Sequence, residues 1–203
     1  MTYDLVIKNG SVVDGSGNPQ YRADVAVQDG KIAAIGRIND RAKQTIDAEG
    51  HVVSPGFVDG HTHMDAQVFW DPIGSCSCYH GVTSVVMGNC GFTLAPCKQE
   101  DADLVFRNLE RAEDLSRDAM LEGIDWRWET FPQFLDVIDE LPKGINYAGY
   151  IGHSALRTYV MGERAFSDAA SEDDVRKMQH LVKEAVQAGA IGFSTSRTFN
   201  HLT

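Results

Sequence analysis

Two histidines one residue apart, His61 and His63, and a later cysteine, Cys90, are the side chains of this sequence best suited to holding a metal ion. On an extended strand, residues i and i+2 point to the same face, so the two imidazoles are expected to project side by side from the end of the apolar run that includes Val52-Val53 and Phe57-Val58. Such a pair is a half-site for a first-row ion such as zinc. Cys90 follows a second apolar run, Ser84 to Gly88. Neighbouring strands lie about 4.8 Å apart, so a thiolate just past the second strand reaches a metal held at the end of the first. Zinc accepts mixed Cys and His ligands and keeps a bound thiol deprotonated. The competing readings are a small buried apolar thiol for Cys90 and a partly exposed pair beside a turn for the histidines. Asp59 shares the face of His61 and either supports an imidazole N–H or caps backbone.

His153, Ser154 and Arg157 follow a third strand pattern at the same end and are candidates for substrate binding. The guanidinium of Arg157 suits a carboxylate; the alternative is a loop network that fixes geometry. Arg197 and His201 follow a fourth strand pattern and face the same way. Cys76, Cys78 and Cys97 read as structural or incidental thiols. His80 lies at the N-terminal end of the second strand, where a turn hydrogen bond suits it better than a metal, and His51 and His180 read as surface residues.

The elements that would position these groups alternate. Strands are expected over Val52 to Val58, Ser84 to Gly88, Ile145 to Ile151 and Ala190 to Thr195. A helix is expected over residues 101–121, where Leu104, Leu109 and Leu115 recur at helical spacing. Thr130-x-x-Gln133 forms a capping box opening a helix that ends near Pro142. Ser171-x-x-Asp174 opens another, with Val175, Met178, Leu181 and Val182 on one face and Gly189 as its stop. Strand–helix alternation implies a parallel sheet of βαβ units, and active groups then belong at the C-terminal strand ends. Ahead of it, short β-branched runs punctuated by Asn9-Gly10 and Asp29-Gly30 predict a small antiparallel sheet with tight hairpin turns. The expected division is therefore residues 1–51 and 52–203.

At 203 residues and 43% hydrophobic content, the chain has room for a real core. No apolar run approaches the roughly 20 residues of a membrane span. Met1 to Lys8 lacks the basic and apolar regions of a signal peptide, so the expected compartment is the cytoplasm. The net charge of −11 argues against a nucleic-acid partner. It also repels anionic ligands weakly, so a carboxylate substrate would need a local cation or backbone donors.

The strand Pro55-Gly56-Phe57-Val58-Asp59-Gly60-His61-Thr62-His63 resembles the first barrel strand of the amidohydrolase superfamily. Gly81-Val82-Thr83-Ser84-Val85-Val86-Met87-Gly88-Asn89-Cys90-Gly91-Phe92 resembles the N-acyl-D-amino-acid deacylases, also called D-aminoacylases, and the segments 152–157 and 192–197 are similar to the same branch. The resemblance implies a (β/α)8 barrel preceded by part of a β-sandwich, and a small anionic N-acyl-D-amino acid or close analogue as substrate. It implies zinc, one or two ions, with Cys90 a ligand and His61 and His63 at the adjacent metal position. Further histidines and an aspartate general base are expected beyond Thr203. Residues 52–203 fall short of the roughly 250 of a complete barrel, so the chain reads as the N-terminal part of a longer enzyme. An incomplete barrel leaves open strand edges, which predicts either a completing C-terminal half or self-association. Two alternatives stand: a catalytically silent fragment or assembly module, and a cyclic amidase of the hydantoinase or dihydroorotase type. The latter would be expected to carry a carboxylated lysine after the fourth strand, where no lysine follows Phe193.

Overall fold

A computed structural model describes residues 2–113 and 115–197. The chain divides into two compact units, Met1–Gly56 and Phe57–Thr203.

The first unit is one mixed sheet. Strands β1 (Thr2–Val12), β2 (Tyr21–Gln28), β3 (Lys31–Gly36) and β4 (Arg41–Asp47) run in the order β3-β2-β1-β4, and β5 (Val52–Val53) also pairs with β1. The antiparallel expectation holds for β1, β2 and β3, whereas β4 and β5 run parallel to β1. Asp29 and Gly30, both at positive φ, make the expected two-residue turn between β2 and β3. Asn9-Gly10 does not make a turn. It lies inside β1 as a bulge, with Asn9 at φ 62°, because carboxylates on both neighbouring strands hold it. Asp24 accepts from the Asn9 backbone N–H at 3.0 Å, and Asp47 accepts from Asn9 Nδ2 at 2.9 Å. A Cβ at Gly10 would stand 2.4 Å from Val53 Cγ2, so only glycine lets β5 approach here. Its contiguous buried cluster is small, Val6, Ala26 and Ile38, with Val12, Val25 and Ala48 also buried.

The expected strand Val52 to Val58 is two strands in two sheets. Pro55 has no N–H to donate, so the ladder with β1 ends after Val53. Pairing resumes at β6 (Phe57–Asp59) in the second unit, which moves the division from 51/52 to 56/57.

In the second unit, β6 is followed by a short helix α1 (Ser75–Cys78), β7 (Val82–Met87) and three helices, α2 (Ala102–Glu113), α3 (Arg117–Gly123) and α4 (Phe131–Glu140). Then come β8 (Asn146–Gly152), α5 (His153–Met161), α6 (Glu172–Ala188) and β9 (Gly192–Ser194). The four strands pair in parallel in the order β6-β7-β8-β9. The single helix expected over 101–121 is two, because Ser116 caps a new N-terminus by accepting from the Ala119 N–H at 3.3 Å. Both capping boxes form as expected, at Thr130/Gln133 and Ser171/Asp174.

The core of this unit is aromatic and aliphatic: Phe106, Leu109, Met120, Trp128, Phe131, Phe134, Ile151 and Leu156 are buried together. Burying a side chain of this size contributes about 1.5–3 kcal/mol. Trp126 stacks on Trp128 with centroids 4.5 Å apart, and Trp128 stacks in turn on Phe69 at 5.0 Å. Both indole N–H groups are satisfied, by the carbonyls of Trp128 and Leu94, each at 2.8 Å. Among the described residues, no helix is long and apolar enough to cross a membrane.

Candidate metal centre

β6 ends at Asp59, so His61 and His63 are carried just past the strand rather than on it. Thr62, between them, supplies the register. Its backbone N–H donates to the Val86 carbonyl at 2.9 Å and its hydroxyl to the same oxygen at 2.8 Å. The segment is thereby tied to β7, and the two imidazoles meet edge to face with centroids 5.4 Å apart at 60°. Asp59 takes the capping role: its carboxylate accepts from the His61 backbone N–H at 3.2 Å.

Cys90 sits on a turn directly after β7 with an unusual backbone. Gly88 (φ 77°), Cys90 (φ 57°) and Gly91 (φ 90°) all occupy positive φ. For a residue with a Cβ such as Cys90 that conformation costs about 1–2 kcal/mol. A Cβ at Gly88 would lie 2.4 Å from the Tyr150 carbonyl oxygen, which excludes any other residue there. Two buried polar side chains hold the turn. Asp65 accepts from the Gly88 N–H at 3.0 Å. Asn89 donates through Nδ2 to the carbonyls of Thr62 at 3.2 Å and Val86 at 2.9 Å, joining the cysteine turn to the histidine segment.

The result is a cluster. Cys90 Sγ lies 3.3 Å from His61 Nε2, and the donor atoms of His61, His63 and Cys90 all fall within 4.8 Å of one another. A tetrahedral zinc ion separates its nitrogen and sulfur ligands by roughly 3.5 Å. The donor types suit zinc, and the 3.3 Å between Cys90 Sγ and His61 Nε2 is close to that separation. His61 is exposed and the other two are half-buried.

His153 is the first residue of α5, immediately after β8. A Cβ at Gly91 would lie 3.5 Å from Ser154 Oγ and 3.6 Å from the His153 nitrogen, so the β8–α5 junction abuts the cysteine turn. His153 Nδ1 is 3.1 Å from Thr195 Oγ1, and its ring tilts against Phe193 at 5.9 Å. Burial, then the charges of Arg157 and Arg197, hold the imidazole below its ordinary pKa and favour the neutral ring. Ser154 is buried, and its carbonyl accepts from the Thr158 hydroxyl at 2.9 Å. Arg157 donates through Nη2 to the carbonyls of Ala165 at 2.8 Å and Asp168 at 3.0 Å. These two bonds are those expected of the loop network. His201 lies outside the described residues.

Among the described residues, Cys76, Cys78 and Cys97 are free thiols outside the metal cluster. Burial, with Asp101 and Glu129 nearby, pushes the Cys97 thiol up to about 12, and its Sγ donates to the Lys98 carbonyl at 3.2 Å. Sequence reasoning overlooked Thr62, Asp65 and Asn89. Asp65 had a readable signal, an acidic residue in step with His61 and His63 that leads into Ala66-Gln67-Val68-Phe69.

Residues 44–203 match the model of the amidohydrolase family, and the chain belongs to that family. It is 39% identical over 194 residues to D-aminoacylase from Alcaligenes xylosoxydans xylosoxydans, covering 95% of this chain and 37% of that protein. It superposes with a TM-score of 0.80 and 33% identity on an N-acyl-D-glutamate deacylase from Bordetella bronchiseptica, solved with zinc and a phosphonate inhibitor, covering 96% of this chain and 38% of that one. A shorter match, 55% identical over 64 residues, is to an allantoinase of Escherichia coli and covers 32% of this chain and 14% of that protein. The chain thus spans little more than a third of the length of the two deacylases. Its four parallel strands are the N-terminal part of a (β/α)8 barrel, preceded by a β-sandwich portion.

Proposed function

We propose that the protein takes part in zinc-dependent hydrolysis of the amide bond of N-acyl-D-amino acids or close analogues. The convergence of His61, His63 and Cys90 within 4.8 Å, at the C-terminal ends of β6 and β7, carries this reading. These three residues would hold the metal, one ion or part of a two-ion centre. Bound there, zinc supplies Lewis acidity toward a carbonyl oxygen and a water acidified toward neutral pH.

The protein's own groups do the rest of the work on this side of the site. Asn89 and Asp65 keep the thiol and the imidazoles from drifting apart. His153, kept neutral by burial, adds no positive charge beside a cation site. An N-acyl amino acid is an anion approaching a chain of net charge −11, so its carboxylate needs a local cation; Arg197, whose charge reaches His153, is suited to that role. The cyclic-amidase alternative rests on a match over 32% of the chain, whereas deacylase similarity runs through 95%.

The test is zinc content by mass spectrometry on the purified protein beside Cys90→Ala, with N-acetyl-D-methionine turnover in the same samples. Near-stoichiometric zinc that the variant loses is the expected result. Equal zinc in both proteins, or none in either, would remove the basis of the reading, and zinc without turnover would favour the catalytically silent alternative for this chain.

A further inference from the structure

Ser194 is the last residue of β9, two strands away from β7 in the sheet, yet it touches the turn that presents Cys90. The turn reaches it by lying across the end of β8: a Cβ at Gly152 would meet the Gly91 carbonyl oxygen at 2.4 Å. The Gly91 N–H donates to Ser194 Oγ at 3.1 Å. The Ser194 hydroxyl in turn donates to the Gly88 carbonyl through a short bond. One hydroxyl therefore uses its single proton on one end of the Gly88-Asn89-Cys90-Gly91 turn and a lone pair on the other, which only a group that both donates and accepts can do. Asp65 grips the Gly88 N–H, and Asn89 grips the opposite, β6 and β7 side.

We propose that Ser194 is a positioning residue for the metal ligand Cys90: its hydroxyl staples both ends of the turn and so fixes the direction in which the thiolate leaves the backbone. The inference rests on the reading of Cys90 as a ligand. Cys90 stands at φ 57°, a conformation the chain leaves unless its surroundings impose it. Without the staple, the turn relaxes and the sulfur moves relative to His61. Groups that orient a ligand typically contribute 10- to 100-fold in metal affinity.

The experiment compares Ser194→Thr, which keeps the hydroxyl, with Ser194→Val, which has nearly the same shape without it, and with Ser194→Ala. Each is purified as the full chain, checked for native far-ultraviolet dichroism, and titrated with cobalt(II) while the thiolate-to-cobalt charge-transfer band is recorded. The valine and alanine variants are expected to bind cobalt about 10- to 100-fold more weakly, with a shifted or weakened band. The threonine variant is expected to restore both. Folded valine or alanine protein with wild-type affinity and band overturns the proposal, as does a threonine variant no better than valine. If one of the two hydroxyl-free variants fails to fold, the other decides. A Cys90→Ala control separates the two levels: if it keeps the wild-type band, the ligand assignment itself fails, and if it alone loses the band, only the role of Ser194 fails.

Discussion

Asn9 in the N-terminal sheet and Cys90 after β7 both stand at positive φ, 62° and 57°, for different reasons. Asparagine is one of the few residues with a Cβ that visits this region readily, and Asp24 and Asp47 complete its hydrogen bonds. The bulge is a solution to strand geometry. Cysteine has no such preference, and buried side chains from several segments must impose the conformation on it. A left-handed position filled by a tolerant residue marks architecture; one filled by an intolerant but chemically capable residue marks a place where the side chain is wanted for its chemistry. The two regions differ in bulk as well: the contiguous buried cluster of the first unit is Val6, Ala26 and Ile38, against a large aromatic and aliphatic cluster in the second.

The sharpest way to break this comparison is the metal. Cys90→Ala should abolish stoichiometric zinc while Asn9→Ala leaves it unchanged, and equal retention would dissolve the distinction. Next in size are the cores. Phe134→Ala, in the second unit, should cost about 3–5 kcal/mol of unfolding free energy, and Ile38→Ala, in the smaller cluster, should stay near the low end of the 2–5 kcal/mol range. Denaturant titration reads both, and a larger loss at Ile38 would contradict the ranking.

The backbone contrast is subtler. Cys90→Gly relieves a left-handed Cβ and should raise the stability of metal-free protein by about 1 kcal/mol. Asn9→Gly loses the Asp47 hydrogen bond and should bring no gain. The smallest effect is on pH dependence. Burial raises the Asp24 carboxyl, but donors from Asn9, Ile38 and Lys8 outweigh it and hold the group below its ordinary pKa. Asp174 is held well below that range by the hydroxyl and backbone N–H of Ser171 and by Arg164. In each case the unfolded chain binds the proton more tightly, so the stabilisation is complete above about pH 4 and fades as pH falls toward the folded pKa. Asp24→Asn and Asp174→Asn should each flatten the acid limb of the stability profile, and an unchanged limb would remove that carboxylate from the account.

Local signals made much of this legible in advance. The capping boxes at Thr130 and Ser171 form because a hydroxyl and a side-chain acceptor three residues on need nothing else from the fold. The convergence of His61, His63 and Cys90 was visible because they follow apolar strand patterns whose ends a parallel sheet must gather. The misreadings came from longer-range causes. Asn9-Gly10 reads as a hairpin turn until Asp24 and Asp47 are seen on either side of it. Val52 to Val58 reads as one strand until the missing N–H of Pro55 is set against two competing sheets. For Arg157 the sequence leaves a carboxylate role and a loop network equally open, and only the fold brings the Ala165 and Asp168 carbonyls to its guanidinium. Asn89 and Asp65 act through backbone atoms of other segments, which side-chain type alone does not disclose.

The stacked indoles of Trp126 and Trp128 give the protein an optical signature of its own. Two chromophores 4.5 Å apart and inclined by 25° exchange excitation, so their ultraviolet dichroism is that of a coupled pair and depends on the pair keeping this spacing and inclination. Trp70, 43% exposed, should emit at longer wavelength than either. Loosening of the packing around α4 would erase the coupled signal before secondary structure is lost, the order expected when side-chain packing yields first, so a spectrometer could follow the second unit without any label.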